Sequence, residues 1–570
     1  MNKDIIAEIK NQITHTVSEA ISGISNHIKA DDAMMEAAKS VEIETEIPKE
    51  KNHGDFSTNI AMKLTKILRN SPSNIANALL SEMKTEGTYI EKVEIAGPGF
   101  INFYLSKNWL FDTLKNAYAL GSNYGRIDAG KGRKVMVEFV SANPTGPMHM
   151  GNARGGALGD SLASVLDMAG YDVTREFYIN DAGAQVEKFA NSLEARYIQA
   201  LKGEEAVEFS PDWYQGNDIK VLAANFIEIH GDKYLEVSSE ERKDALVKFG
   251  LEHNIAKLKT DLADYRINYD VWFNESKIHE NGEVAETIEI LKKSSLTYEK
   301  EGALWFKSTE FGCEKDDVLI RANGFPTYFV VDIAYHRNKF VKREFDKVIN
   351  IWGADHHGHV ARMKGAMEAI GVDSSKLEIV LMQLVRLVKD GEAVRMSKRT
   401  GEMITLSDLV EDIGIDAARF FFNLRQAGSH LEFDLDLAIA QNNDNPVFYV
   451  QYAHARIASI IRNLAEEGIE LKEPDKIDAT LLTEDAELEL MEKIASFPHE
   501  IYLSSESLEP SKLTRYVTDL SALFHSFYNS CRVKCDDEAL CQARLLLCHT
   551  TKTVIKNVFD ILKIEAPEKM

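Results

Sequence analysis

The sequence is poor in cysteine, with five in 570 residues. An odd number of thiols in so long a chain argues against the disulfide framework of small secreted domains. Four of them cluster near the C-terminus without C-x-x-C spacing, which disfavours a zinc site. Cys541 and Cys548 are seven residues apart and would share one helix face, so we interpret the thiols as small buried side chains.

Long apolar runs are also missing. No stretch approaches the roughly 18 consecutive apolar residues that a membrane-spanning helix needs. The N-terminal residues do not resemble a signal peptide, because charged side chains interrupt them throughout, namely Asp4, Glu8, Lys10 and Glu19. We therefore expect a cytoplasmic protein without a membrane span.

Basic residues are in deficit, with 66 Lys and Arg against 90 Asp and Glu, a formal charge of −24. Such a balance disfavours indiscriminate binding to nucleic acid. It does not exclude a local basic track. The segment from Arg386 to Arg399 contains five basic residues and two acidic ones.

The length predicts three or four domains, and the pattern changes twice along the chain. Residues 1–112 read as a small α+β domain. Ile5, Ile9, Ile13, Val17 and Ile21 form one helical stripe. Residues 41–47 alternate as a half-buried strand does, and Gly97-Pro98-Gly99 indicates a turn between two strands.

Residues 113–440 read as an α/β domain. Residues 135–140 are almost all apolar, as in a parallel strand buried on both faces. A helix from about Gly151 and a strand over 171–179 complete a β-α-β unit. This unit predicts a doubly wound, Rossmann-type parallel sheet.

The rest of that domain is less regular. We interpret about 186–300 as a mostly helical insertion, after which the sheet resumes with strands at 327–333 and 347–352. A hairpin is expected within 381–394, because Asp390-Gly391 favours a type I′ turn. Residues 441–570 are helical in pattern and predict a separate all-α bundle.

The most informative stretch is Asn143-Pro144-Thr145-Gly146-Pro147-Met148-His149-Met150-Gly151-Asn152, between the buried strand and the helix. Helix N-termini attract phosphate, because unpaired N–H groups and the helix dipole point there. His149 and Asn152 can donate to phosphate oxygens, and Gly151 admits a close approach. The alternative is a glycine-rich turn with a capping histidine.

A second patch, Arg395-Met396-Ser397-Lys398-Arg399, follows the expected hairpin, with Lys398 249 residues after His149. Lys398 is a compact point charge suited to a β- or γ-phosphate. The alternative is a solvated basic turn. Together the two stretches suggest one ATP site built from two distant loops.

These motifs resemble those of class I aminoacyl-tRNA synthetases, with residues 149–152 as the HIGH-type motif and 395–399 as the KMSKS-type motif. More narrowly, the chain resembles bacterial arginyl-tRNA synthetases. Four further stretches carry that likeness, namely residues 52–59, residues 178–183, Thr327-Tyr328 with Asp332, and residues 449–456.

Three positions depart from the family's usual motifs. Asn152 stands where a histidine is common, so a donor is kept but no proton or positive charge can be carried. Arg395 replaces the first lysine and Arg399 the final serine, whereas Lys398 is retained. The retained lysine implies a complete ATP site.

The resemblance implies an arginine–tRNA ligase that activates arginine with ATP, as a magnesium complex, without a dedicated protein metal site. The arginine carboxylate would attack the α-phosphate, and the activated arginine would pass to the terminal adenosine of the tRNA. His149, Asn152 and Lys398 are the implied catalytic residues. The implied ATP-binding residues are Pro147, His149, Gly151, Asn152, Gly353, Asp355, Met396, Ser397 and Lys398.

Asp332, with the hydroxyl of Tyr328, resembles the family's guanidinium-binding site. A carboxylate can bind the planar guanidinium group through two parallel hydrogen bonds. The remaining implied arginine-binding residues are Glu138, Ser141, Asn143 and His356. From the residues alone, a structural salt bridge from Asp332 to Arg337 or His336 stays open.

The C-terminal bundle resembles the family's anticodon-binding domain. Tyr449, Tyr452 and Tyr528 are the candidates to stack on unpaired bases, with core aromatic residues as the alternative. By similarity, the N-terminal domain would touch the outer corner of the tRNA, and the chain would be a monomer. Two other functions stay open, a small-molecule adenylyltransferase and a tRNA-binding regulator that has lost catalysis.

Overall fold

The computed structural model describes residues 4–48, 50, 53–394 and 404–570. An antiparallel sheet of order β1-β3-β2 packs against helices in the N-terminal domain. All five residues of the predicted stripe on α1 are buried, which confirms that helix. The elements are α1 (Ile5–Gly23), α2 (Asp32–Lys39), β1 (Phe56–Thr58), α3 (Ile60–Lys63), α4 (Thr65–Leu68), α5 (Pro72–Glu82), β2 (Ile90–Ala96) and β3 (Phe100–Leu105).

The strand predicted at 41–47 is wrong. Its side chains do alternate between partly buried and exposed as far as Glu46, but only Glu46 pairs, in a single bridge to Ser57. The apolar side chains on the inner side are only partly buried, and Ile47 at the end is 65% exposed. An alternating pattern reports an extended chain, and ladder formation needs a partner of sufficient length, whereas β1 has three residues.

The second domain follows α6 (Asn108–Leu120) and is built on a parallel five-stranded sheet of order β11-β10-β4-β5-β6. Its strands are β4 (Lys134–Glu138), β5 (Asp172–Ile179), β6 (Val271–Asn274), β7 (Thr297–Lys300), β8 (Ala303–Phe306), β9 (Asp317–Ile320), β10 (Lys347–Gly353), β11 (Leu377–Met382), β12 (Val385–Lys389), β13 (Glu392–Val394) and β14 (Leu431–Asp434). β4 and β10 are neighbours in the sheet. β5 and β6 follow on the β4 side, and β11 follows on the β10 side. The crevice at the carboxyl ends of β4 and β10 is therefore the topological switch point, where ligands bind in open α/β sheets.

This domain also contains helices. They are α7 (Met150–Met168), α8 (Ala184–Lys202), α9 (Asn217–His230), α10 (Ser239–Asp264), α11 (Glu275–Glu280), α12 (Glu283–Lys293), α13 (Tyr328–Arg337), α14 (His357–Ala369), α15 (Leu406–Ile413), α16 (Ile415–Phe422) and α17 (Leu435–Ile439). The predicted β-α-β unit corresponds to β4, α7 and β5 and is confirmed, with Val135 opposite Val173 in the ladder.

Two expectations for this domain need correction. The predicted helical insertion begins as helices α8 to α10, but β6 within it pairs with β5, so the sheet resumes before residue 300. The strand predicted at 327–333 is the helix α13. A short apolar run buried on every side carries no period by which a strand and a helix can be distinguished, and α13 is such a run, with Phe329, Val330 and Val331 all buried.

The predicted hairpin is confirmed by β12 and β13, which pair with Leu387 opposite Val394. Asp390 and Gly391 have φ angles of 53° and 76°, as a type I′ turn requires. β14 adds a parallel strand to this hairpin, and β7, β8 and β9 form a separate antiparallel sheet.

The C-terminal part is a helical bundle, as predicted, and its helices are α18 (Pro446–Glu466), α19 (Asp485–Ala495), α20 (Phe497–Ser507), α21 (Ser511–Ser530) and α22 (Glu538–Leu562). The fully buried Arg419 joins it to the α/β domain. Its guanidinium donates to the carbonyl of Leu562 at 2.7 Å and pairs with Asp160 at 2.5 Å. None of the helices in the described part of the chain combines the length and hydropathy that crossing a bilayer requires.

Candidate active site

A cleft of about 1240 Å³ opens at the carboxyl ends of β4 and β10. Six of the residues predicted to bind ATP or arginine line it, namely His149, Gly151, Asn152, Gly353, Asp355 and His356. The first three start α7, and the last three follow β10. The cleft thus lies at the switch point that the strand order identifies.

The turn that starts α7 caps itself. Nδ1 of His149 accepts from the N–H of Gly151 at 3.1 Å, and Oδ1 of Asn152 accepts from the N–H of His149 at 3.0 Å. The capping histidine that we considered as an alternative is therefore present. Because Nδ1 is an acceptor, the imidazole carries its proton on Nε2. Desolvation lowers the pKa of His149, which favours this neutral form.

The glycines at the start of α7 have different roles. A Cβ on Gly156 would lie 2.7 Å from Ile267, and one on Gly159 would lie 2.2 Å from the ring of Phe139. These two glycines therefore let α7 pack closely on the domain core. Gly151 lines the cleft instead, and a Cβ there would meet only the ring of His149, at 3.0 Å.

The basic patch at 395–399, with Met396, Ser397 and Lys398, lies outside the described residues. Both flanks are described and line the cleft, Val394 on one side and Ile404 on the other. Thr405 forms a bridge with His149, and the N–H of Leu406 donates to the carbonyl of Met148 at 2.9 Å. The segment that follows the patch is thus hydrogen-bonded to the turn that starts α7.

Arg154, which the sequence did not single out, connects α7 to the segments that precede β12 and β14. Its buried guanidinium donates to three carbonyls, those of Gln383 at 2.6 Å, Gln426 at 3.1 Å and Ser429 at 3.0 Å. Burial lowers its pKa to about 10. Arg154 sets the position of the β11–β12 connection, and nothing in the local sequence pattern reveals this distant contact.

The end of β4 carries two of the predicted arginine-binding residues. Glu138 is buried and pairs with the fully buried Lys339 at 2.5 Å, while Ser141 donates to its other oxygen at 3.1 Å. Val140 and Ser141 have φ angles of 68° and 41°. A left-handed conformation costs roughly 1–3 kcal/mol for a branched residue such as valine, and here it turns the chain toward the crevice.

Two other predicted residues, Asn143 and Pro147, are exposed in the loop between β4 and α7. This loop is held by contacts with α10 and with the segment between α8 and α9. Asn254 donates to the carbonyl of Pro144 at 2.9 Å, and Thr145 donates to the hydroxyl of Tyr214 at 3.1 Å.

Asp332 lies on α13, and its carboxylate accepts from Nε2 of His359 at 3.2 Å. The alternative salt bridges are not formed. Arg337 pairs with Glu286 at 2.8 Å, and His336 contacts the backbone carbonyl of Asp332 instead of its carboxylate. The Asp332 side chain is 38% exposed, so a ligand can reach it.

Tyr178 connects the groups that gather beside Asp332. Its N–H donates to Ser141 at 3.2 Å, and its hydroxyl donates to Glu275 at 2.8 Å. Burial and the carboxylates of Glu275, Asp332 and Glu138 raise the pKa of Tyr178. Burial also raises the pKa of Glu275 to about 7. Glu275 was missed by the sequence analysis, since one glutamate at a strand end carries no distinguishing pattern.

Tyr328 is half exposed at the start of α13, and its hydroxyl accepts from the N–H of Ala184 at 2.9 Å. This bond connects α13 to the beginning of α8. It also leaves the hydroxyl proton of Tyr328 available for another acceptor.

The three predicted tRNA-binding tyrosines meet in one half-buried patch on α18 and α21. Tyr449 and Tyr452 lie 5.1 Å and 6.0 Å from the ring of His525. Arg456 lies over Tyr452 at 5.5 Å and over Tyr528 at 4.4 Å. We call these five residues the aromatic patch.

Sequence models of three protein families match the chain. They are described as "Arginyl tRNA synthetase N terminal domain" over residues 7–105, "tRNA synthetases class I (R), catalytic domain" over 113–428 and "DALR anticodon binding domain" over 450–570. The catalytic-domain match alone covers more than half of the chain.

Two curated relatives align along the full length. The arginine–tRNA ligase of Ruminiclostridium cellulolyticum is 57% identical over 568 residues, covering 100% of both chains. That of Caldanaerobacter subterraneus is also 57% identical, over 569 residues with the same coverage.

Two solved structures have folds similar to that of this chain. A Campylobacter jejuni structure described as an arginyl-tRNA synthetase has a TM-score of 0.74 at 35% identity, covering 82% of this chain and 100% of its own. The Thermus thermophilus arginyl-tRNA synthetase has a TM-score of 0.74 at 20% identity, covering 98% and 99%, and at that identity shows the fold alone. The chain belongs to the arginyl-tRNA synthetase family.

Proposed function

We propose that the cleft, together with neighbouring residues of α13 and α14, carries out the ATP-dependent ligation of arginine to tRNA, with phosphate chemistry at the start of α7 and guanidinium recognition between α13 and α14. The observation that carries this assignment is the convergence of six predicted residues and both flanks of the basic patch on one cleft. An adenylyltransferase would share the turn but would need no aromatic patch on a helical bundle.

At the ATP end, Nε2–H of His149 and the Nδ2 amide of Asn152 are the donors that we assign to phosphate oxygens. The oxygen of Asn152 is engaged by the N–H of His149, so Asn152 meets an anion only as a donor. We assign Lys398 to the leaving pyrophosphate, with Met396 and Ser397 beside it. Pro147, Gly151, Gly353 and Asp355 complete the proposed nucleotide site, and ATP enters with Mg²⁺.

The proposed chemistry has two displacements. A carboxylate oxygen of arginine attacks the α-phosphorus of ATP, forming arginyl-adenylate as the bond to pyrophosphate breaks. A hydroxyl of the tRNA terminal adenosine then attacks the arginyl carbonyl carbon, and AMP leaves. No protein nucleophile is required, so catalysis consists of positioning and charge stabilisation.

At the arginine end, the guanidinium would meet the carboxylate of Asp332 and the hydroxyl of Tyr328. In the described part of the chain, no lysine or arginine side chain pairs with Asp332, Glu275 or Asp181. The guanidinium of a bound arginine would supply the positive charge that these carboxylates lack. We assign Ser141, Asn143 and His356 to the amino and carboxylate groups of arginine. Glu138, whose two oxygens accept from Lys339 and Ser141, would act by orienting Ser141.

At the tRNA end, we assign unpaired bases to the aromatic patch, through its predicted residues Tyr449, Tyr452 and Tyr528. Half-buried rings next to Arg456 offer both stacking and charge. We also propose domain boundaries near residues 112 and 440. The limits of the family matches and the gap between α17 and α18 support these positions.

We propose further that the chain works as a monomer in the cytoplasm, as the family resemblance implies. Light scattering coupled to gel filtration, at micromolar protein with and without tRNA, measures the mass directly. A dimer in both conditions would contradict the first part of this proposal.

The deciding assay is ATP–pyrophosphate exchange with each amino acid, in the presence and absence of tRNA. We expect exchange with arginine, and stronger exchange when tRNA is added. Exchange with another amino acid, or none under any condition, would reject the assignment. Binding of tRNA without any exchange would favour a regulator that has lost catalysis.

A further inference from the structure

A chain of four side chains runs from the small sheet β7–β9 to the proposed arginine site. Asp317 on β9 accepts from Arg362 at 2.7 Å, and Nε of Arg362 donates to Nδ1 of His359 at 2.5 Å. Nε2 of His359 then contacts Oδ2 of Asp332 at 3.2 Å. Both Arg362 and His359 lie on α14, three residues apart on one face.

The direction of these hydrogen bonds follows from chemistry. A guanidinium N–H can only donate, so Nδ1 of His359 must be the acceptor in its bond to Arg362. The imidazole then carries its proton on Nε2 and donates it to Asp332. Arg362 therefore fixes the tautomer of His359, and that tautomer presents a donor to the carboxylate.

The ring of His359 is held firmly. Phe329 meets it edge to face at 5.6 Å between ring centroids, and Trp352 lies at 5.2 Å on another side. Arg362 lies over the ring of Phe329 at 5.1 Å. Its anchor, Asp317, also accepts from Ser308 at 2.6 Å. These further contacts limit the rotation of the side chains that lead to Asp332.

Among the described residues, His359 is the only side chain that donates to the carboxylate of Asp332. One hydrogen bond therefore holds one carboxylate oxygen, and the remaining lone pairs of both oxygens stay available to a ligand. A planar guanidinium needs the plane of its carboxylate partner in a fixed orientation, more than a rounded ammonium does. Rotation of Asp332 would weaken this match.

We propose that His359 and Arg362 are positioning residues for arginine recognition, which hold the Asp332 carboxylate in the orientation that the guanidinium requires. This inference rests on the proposed role of Asp332 in binding arginine. Neither His359 nor Arg362 needs to touch the substrate.

The test compares His359→Ala, His359→Gln and His359→Asn in ATP–pyrophosphate exchange at saturating tRNA. An amide at the end of a glutamine side chain can place an N–H near the position of Nε2, whereas asparagine is too short. We expect His359→Ala and His359→Asn to raise the arginine KM about tenfold, the size typical of a lost bond to a charged group. The glutamine variant should recover most of that loss, and the ATP KM should stay within about twofold.

Arg362→Met tests the second step, because without its donor the imidazole can turn or change tautomer. We expect it to raise the arginine KM by about threefold to tenfold, with Arg362→Lys intermediate. Thermal unfolding of every variant shows whether folding is intact. A variant that fails to fold is replaced in the comparison by the glutamine and lysine variants.

Asp332→Asn, measured in parallel, distinguishes the positioning role of His359 and Arg362 from the proposed arginine site itself. If it raises the arginine KM while His359→Ala and Arg362→Met leave it unchanged, the positioning role is overturned and the proposed site stands. If Asp332→Asn itself has no effect, both fail. Equal increases in the arginine and ATP KM values, or equal defects in the glutamine and asparagine variants, would indicate a general structural role and would also overturn the inference.

Discussion

At the proposed ATP end of the site, His149, Gly151 and Asn152 belong to one turn, whereas the groups at the proposed arginine end come from separate elements. His149, Gly151 and Asn152 organise one another through the hydrogen bonds of the turn. Asp332, by contrast, depends on His359 in the next helix. The side-chain donors that we assign to phosphate are thus oriented within one local turn, whereas the carboxylate that we assign to the guanidinium is oriented by a residue of another helix.

The two ends also differ in charge. At the ATP end the described turn offers neutral donors, since desolvation lowers the pKa of His149. Several carboxylates lie at the proposed arginine end, and the pKa of Glu275 is raised there by burial first and by the charges of Asp332 and Asp181 second. The arginine end thus suits a cationic ligand, and the ATP end an anionic one. Substitutions at one end should therefore affect one substrate and leave the other unchanged.

The largest effect is expected for Lys398→Ala. Removing the cation assigned to the leaving pyrophosphate should slow adenylation by about 100-fold to 1,000-fold while leaving the arginine KM and thermal stability unchanged. Single-turnover adenylate formation measures the rate. Lys389→Ala, which removes a lysine from β12, is the matched control and should be active. A normal rate in Lys398→Ala would remove this residue from the ATP end.

The next effect is expected for Asp332→Asn, which keeps the size of the side chain and removes its charge. The arginine KM should rise about 10-fold to 100-fold, with little change in the ATP KM. Exchange kinetics at saturating tRNA give both values. Glu286→Gln neutralises another carboxylate beside α13, in its pair with Arg337, and should behave as the unmodified chain does. Unchanged arginine affinity in Asp332→Asn would contradict the proposed site.

A pH effect on stability follows from Glu275, whose folded-state pKa is raised to about 7 from 4.5. The folded protein holds this proton more tightly than the unfolded chain. The resulting stabilisation is full below pH 4.5 and is lost as the pH rises through about 7, by at most roughly 3 kcal/mol. Glu275→Gln should remove this loss.

Urea titrations at several pH values between about 5 and 8 measure the free energy of unfolding of both proteins. We expect the difference to favour Glu275→Gln increasingly as the pH rises. Parallel pH profiles for the two proteins would show that Glu275 is not the titrating group. Asp181→Asn tests whether the charge of Asp181 contributes to the raised pKa of Glu275.

The smallest effect is expected for Tyr452→Ala in the aromatic patch. Loss of one stacked base costs about 1–3 kcal/mol, so the tRNA KM should rise about tenfold while arginine and ATP KM values stay constant. Tyr502→Ala, which removes an exposed tyrosine on α20, is the control. A defect in the arginine KM would instead show that the bundle and the cleft are coupled.

Much of the fold was predictable because its signals are local. The stripe on α1, the β4-α7-β5 unit and the type I′ hairpin all follow from spacing and turn chemistry. The two wrong strand predictions fall where the local residue pattern is compatible with more than one structure. Residues 41–47 are extended without a ladder, and 327–333 form a helix because burial on all sides removes the period.

The candidate site divides in the same way. The turn at 149–152 could be predicted from four residues. Arg154, Lys339, Glu275 and His359 could not, since each gains its role from partners far away in the chain, such as Gln383 for Arg154. A buried arginine on a helix is indistinguishable in sequence from an exposed one.

Sequence motifs alone were enough to indicate the family and to locate the turn at 149–152. These depend on short-range backbone geometry and on motifs that need few neighbours. The packing of the elements settled which carboxylates lie close together, which tautomer of His359 faces Asp332 and which pKa values shift. Those properties arise from burial and from distances between elements, and neither is set until the sheet and its helices have packed.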